Sequence, residues 1–347
     1  MKTRMKQSSR IQGQSVLQKN GSSKFIRLAG PCMLVLAIAF FDFPAGTQAQ
    51  SAASAGNPSA AGRQRPDGSA TSQETDKSSI AVSLNRQWSA MFAPGTNLYP
   101  VYLADPRHPS TALTVVSYRD SQIPEAGDRR YMFRIGGRLG LLRIFPANHV
   151  SRGFQLNLHG TFLGVFDRAH SLDNIGWDGL YGFDLNWRHH SGLALKLGLH
   201  HDSSHVGDEF MERTGRQRID YTRQEYVLGM SFPVLSRFRV YGEGGWAFDL
   251  RNKAIQDHWR FQAGLEYKDE DALWGGRMGY YAAADIGSFQ EADWDPEITV
   301  QTGLMVPVAR ISRSFRMGLE YRDGRSLIGE FSRHEETYWA WGIWIDL

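Results

Sequence analysis

Cysteine is almost absent: the 347 residues include one, Cys32. A single thiol excludes an intrachain disulfide framework and any metal centre built on several thiolates. Charge of one sign is scarce too, because 39 basic and 36 acidic residues leave a net of +3. That balance lacks the electrostatic footprint of a nucleic-acid binder. No glycine-rich nucleotide loop, His-Glu-x-x-His pair or Cys-x-x-Cys-His run occurs, so cofactor-dependent redox chemistry has little support. Apolarity is low overall, with a mean hydropathy of −0.40. This argues against a bundle of membrane helices but not against a barrel, whose strands alternate lipid-facing apolar residues with lumen-facing polar ones.

Glycine (36) and aromatic residues (Phe 19, Tyr 13, Trp 10) are abundant. Near the N-terminus, Lys24 and Arg27 flank an apolar run, 28–43, interrupted only by Asp42, and Thr47-Gln-Ala49 supplies a small-residue cleavage pattern. This order predicts a secretory signal peptide over 1–49 with a long basic lead. A membrane anchor is the alternative, but the run is short and no basic stop-transfer flank follows it. Residues 50–87 are dominated by Ser, Ala, Gly, Gln and Asp, which cannot bury enough surface to fold, and predict a disordered periplasmic tail. Over 88–110, Trp88, Met91, Phe92, Leu98, Tyr99, Tyr102 and Leu103 mark a docking or plug-like lead-in segment.

From 111 to 347 the dominant period is two. Phe154, Leu156 and Leu158 oppose Gln155, Asn157 and His159; Tyr181, Phe183 and Leu185 oppose Asp184 and Asn186; Trp339, Trp341 and Ile343 share one face of the last segment. About twelve such segments, each of ~9 or more residues, suffice to cross a bilayer obliquely. The fold expected is all-β, a transmembrane antiparallel up-and-down barrel in the outer membrane of a Gram-negative bacterium. Short turns at 189–191, 232–236, 269–272 and 308–313 alternate with longer connections at 167–177, 203–219, 286–293 and 323–335. That alternation puts the long loops outside and the N-terminal tail in the periplasm. Arg134, Arg138, Asp184, Arg188, Arg239, Glu243, Glu266, Arg277, Glu320 and Arg322 fall on the inner face, either as an ion-paired filling or as the lining of a small passive pore.

One polar cluster stands out, His200-His-Asp-Ser-Ser-His-Val-Gly-Asp-Glu209. His201 and Ser203 continue the outward face set by Leu195, Leu197 and Leu199, which puts an imidazole and a hydroxyl at the lipid rim. Two positions apart on one strand face, an imidazole can approach a serine hydroxyl and accept its proton, as serine acyl transfer requires. A hairpin centred near 211 makes Asp220 the acid expected to orient His201, with Glu209 the alternative. Asp202, Asp208 and Glu209 are candidate ligands for a divalent ion such as calcium. The bland alternative is a hydrogen-bonded lock in which Ser204, His205 and Gly207 organise the following loop.

Tyr102-Leu-Ala-Asp-Pro-Arg107, Gly136-Gly-Arg138 and His201-Asp-Ser-Ser-His-Val-Gly-Asp-Glu209 resemble an uncharacterised bacterial family, DUF1207, over about 90 to 347. The resemblance implies an outer-membrane protein without an assigned activity. More locally, His201 and Ser203 are similar to the exterior histidine and nucleophilic serine of outer-membrane phospholipase A and lipid A 3-O-deacylase. That likeness implies lipid acyl-ester hydrolysis, with calcium and dimerisation as the phospholipase's companions. Where the phospholipase follows its serine with Asn, this chain has Ser204. The partners expected are outer-membrane lipid, lipopolysaccharide and the barrel-assembly machinery, with no nucleic acid.

Overall fold

The computed structural model describes residues 80–308 and 313–346. The chain divides into two units, 1–50 and 51–347, and all described residues lie in the second. The segment read as a signal peptide and the 50–79 part of the expected tail lie outside the described residues.

Alternating apolar and polar side chains, rich in aromatic and β-branched residues, favour extended backbone over helix. Among the described residues fourteen strands result: β1 (Ile80–Ser83), β2 (Trp88–Phe92), β3 (Thr111–Ser121), β4 (Arg129–Pro146), β5 (Gly153–Asp167), β6 (Asp173–Arg188), β7 (Ala194–Val206), β8 (Tyr221–Pro233), β9 (Phe238–Arg251), β10 (Trp259–Leu273), β11 (Met278–Phe289), β12 (Glu297–Val308), β13 (Arg313–Arg325) and β14 (Glu335–Asp346). A short helix, α1 (Asp208–Thr214), lies between β7 and β8. It and three single-turn 3-10 helices, Arg168–His170, Gln290–Ala292 and Gly329–Phe331, lie between strands where the alternation had suggested no helix.

Strands β3 to β14 pair antiparallel in chain order and β14 returns to β3, so the sheet closes as a twelve-stranded barrel. Closure pairs the backbone groups that hydrocarbon could not satisfy. The outer surface is apolar: Leu139, Phe154, Leu156, Tyr181, Phe183, Leu197, Leu228 and Trp341 are all exposed, while Gln155, Asn157, His159 and Asp184 are buried inside. An even-stranded antiparallel barrel with this inside-out polarity is an outer-membrane β-barrel.

Two ends are distinguishable. Among the described residues, turns at 147–152, 189–193, 234–237 and 274–277 form the turn end, and the connections at 122–128, 168–172, 207–220, 252–258, 290–296 and 326–334 form the loop end. The turn expected at 269–272 falls at 274–277, because β10 runs on to Leu273 through a register shift after Asp269. Arg277 therefore stands exposed in that turn rather than facing the lumen.

One wall position is built in two pieces. Along one edge of β4, Arg129–Arg134 pair with β3, whereas Leu142–Pro146 pair with β2, and β1 pairs with the other edge of β2. Between the pieces, residues 93–110 leave the wall and run through the barrel interior. The departure lies beside a bulge between Gly140 and Leu142, where the Ala93 N–H donates to the Leu141 carbonyl at 3.1 Å. At the loop end the inward side chains turn apolar. Val116, Tyr118, Leu163, Val165, Ile175 and Val206 from the wall pack with Phe210 of α1 and Leu327, Ile328 and Phe331 of the 326–334 loop.

Candidate functional site

The residues singled out from sequence divide between the two faces of β7. His201 lies outside, its ring stacked 4.5 Å from that of the exposed Tyr181, and His205 lies 4.2 Å from Trp177. Ser203 shares this face and donates its hydroxyl to the Gly179 carbonyl at 3.4 Å. No hydrogen bond joins His201 to Ser203 among the described residues. Asp202 and Ser204 point inward: Asp202 pairs with Arg107, and the Ser204 hydroxyl accepts from the Glu330 N–H at 2.8 Å.

Register decides which residue meets His201 from the next strand. Ser203 pairs with Thr222 and His201 with Gln224. Asp220 precedes β8 in the left-handed region, at φ 56°, and forms an exposed ion pair with Arg251 at 3.1 Å. Gln224 in turn donates to Asp249 at 2.8 Å, so an exterior row runs Tyr181, His201, Gln224, Asp249. A sequence reading had no means to find Gln224, because helix α1 changes the length of the connection and with it the pairing. Glu209 is exposed on α1, Asp208 pairs there with Arg218 at 3.2 Å, and Asp202 faces the lumen. The Gly207 N–H is held by the Ile175 carbonyl at 3.0 Å, just ahead of the helix.

Inside, the threaded segment carries Leu98, Tyr99, Tyr102, Leu103 and Ala104 essentially fully buried. Backbone removed from water needs partners for every polar group, and the wall supplies them from all round. From β4, Arg143 and Arg138 donate to the Thr96 and Tyr99 carbonyls and Arg134 to that of Pro106, the last at 2.8 Å. Arg239 of β9 donates to Val101, and Arg316 of β13 donates to Leu103 at 3.2 Å. Glu266 of β10 accepts the Leu103 N–H at 2.8 Å and pairs with Arg239. Tyr102 stacks on Tyr241 at 3.8 Å. Further along, Arg107 binds Asp202, Asp178 and the Leu327 carbonyl, tying the segment to the loop-end cap.

Several of the other lumen charges are paired among themselves. Lys196 meets Glu243 at 2.5 Å, Arg260 bridges Glu243 and Glu225, and Arg322 and Arg325 share Glu297. His108 accepts a hydrogen bond on Nε2 from Arg138 at 2.5 Å. A cavity of about 140 Å³ remains between segment and cap, reached by His159, Asp184 and His200. These three, among the described residues, bring ligating atoms close enough for one metal ion.

Comparison with solved structures finds barrels. The outer membrane phospholipase A of Escherichia coli aligns at 11% identity and TM-score 0.49, covering 69% of this chain and 94% of that one. The Salmonella typhi outer membrane phospholipase dimer with bound calcium gives 13% identity and TM-score 0.47, over 72% and 95%. LpxR from Salmonella typhimurium gives 12% identity and TM-score 0.35, over 69% and 100%. No curated protein matches the sequence. A family described as protein of unknown function, DUF1207, matches residues 43–346.

Proposed function

The chain belongs to the DUF1207 family, and we propose that it is a self-sealed outer-membrane barrel with a structural, envelope-associated role rather than a conduit. The observation that supports this most is the 93–110 segment, buried in the lumen and hydrogen-bonded from β4, β9, β10 and β13. The loop end faces the cell exterior and the turn end the periplasm, where the N-terminal tail lies. Phospholipid and lipopolysaccharide surround the apolar belt, and the barrel-assembly machinery inserts it. In a planar bilayer the purified protein should show no stable conductance. Replacing 94–109 with a flexible glycine-serine linker should produce open-channel steps. A steady current through the wild type overturns the reading.

A second reading rests on the exterior placement of His201 and Ser203 beside Gln224. In it Ser203 attacks a lipid acyl carbonyl, His201 takes the serine proton and gives it to the alcohol that leaves as the ester C–O bond breaks, water then releases the fatty acid from Ser203, and the orienting group is Gln224, Asp220 or Glu209. Detergent-refolded protein is assayed against acyl lipids with calcium and with chelator, because Asp208 and Glu209 stand exposed at the same rim. Ester release that is lost in Ser203→Ala supports this reading; equal release by the variant rejects it.

A further inference from the structure

We infer that His159, Asp184 and His200 bind a divalent transition metal of the imidazole-seeking kind, such as zinc or nickel, inside the barrel. The three come from adjacent strands β5, β6 and β7. His159 and His200 are the cross-strand partners of Gly182 on its two sides, so both rings reach over the same glycine. Asp184, two residues along β6 and on the same face, meets both. His159 Nδ1 lies 3.0 Å from one carboxylate oxygen, and His200 Nε2 lies 2.9 Å from the other. One ligating atom from each residue falls within 4.8 Å of the other two. Two ligands ~2.1 Å from a tetrahedral zinc stand ~3.4 Å apart. Small side-chain rotations therefore bring the set onto one ion.

Inward-facing glycines make the room. A Cβ on Gly182 would stand 3.0 Å from His159 Nε2 and 2.2 Å from the Leu199 carbonyl oxygen. On Gly198, the partner of Asp184, it would stand 2.6 Å from His200 Nε2 and 2.7 Å from an Asp184 oxygen. A side chain at either position would push the cluster apart. Two imidazoles and a carboxylate suit zinc and its neighbours, and three protein ligands leave a position open for water. That position lies toward the cavity, where His200 keeps 21% of its side chain accessible while His159 and Asp184 keep 4% each. Nearby cations are neutralised or engaged: Lys196 by Glu243, Arg138 by the Tyr99 carbonyl and His108. The ion would cross-link three neighbouring strands facing the threaded segment.

The competing arrangement is Asp184 hydrogen-bonded to both histidines with no ion. The full chain, refolded in detergent without a histidine tag, is loaded with zinc and gel-filtered, and bound zinc is counted. One zinc per chain is expected in the wild type, with affinity weakened by at least about 100-fold in the H159Q/H200Q double variant. A control variant at the exposed turn, H189Q/H190Q, should retain wild-type zinc. No retained zinc in the wild type, equal retention in the double variant, or loss confined to the control overturns the site. X-ray absorption on the zinc-loaded wild type is independent of how the variants fold. A first shell with two imidazole nitrogens and a carboxylate oxygen supports the site, and a shell without imidazole overturns it.

Discussion

The lumen is filled in two different ways along its length. Around the threaded segment, arginines from across the wall donate to main-chain carbonyls, because backbone brought indoors carries a polar group at every residue. At the loop end apolar side chains dominate the contact, and there the same barrel face becomes an apolar core around Phe210, Ile328 and Phe331. The inward face of a barrel strand is therefore polar where it chiefly satisfies backbone or charge, and apolar where burial supplies most of the contact.

Breaking the first kind of filling should have the larger effect. Glu266→Ala leaves Arg239 and the Leu103 N–H without their shared carboxylate, at 1% exposure. A loss of ~3–5 kcal/mol is expected for stranding such a buried charge, read as a lower urea midpoint in lipid vesicles. Phe331→Ala attacks the second kind. It removes a fully buried ring from the loop-end core, with an expected cost of ~3 kcal/mol. The damage should be local: faster hydrogen exchange over 326–334 with bilayer conductance unchanged.

The wall was legible in the sequence because alternation reports side-chain direction directly. Phe154, Leu156 and Leu158 face out, and Gln155, Asn157 and His159 face in, as their order implies. The loop-end core was not legible, since Phe162-Leu163-Gly164-Val165-Phe166 is apolar on both faces and gives no period. The aromatic density of 98–103 signalled a docking segment. Its partners lie as far off as Arg316 and donate to main-chain carbonyls, which every residue carries and which a single sequence therefore cannot assign. At the outer rim, His201 and Ser203 followed from parity, whereas their cross-strand neighbours depended on a connection whose helix was not foreseen.

The occupied lumen can be tested by accessibility at one buried position. With Cys32 replaced by serine, single cysteines are placed at Ala104, 0% exposed in the threaded segment, and at Arg251, exposed near the loop end. Both are offered a membrane-impermeant maleimide in folded, bilayer-embedded protein. A sealed lumen predicts prompt labelling of R251C and labelling of A104C slower by at least about 100-fold. Equal rates at the two positions would contradict it.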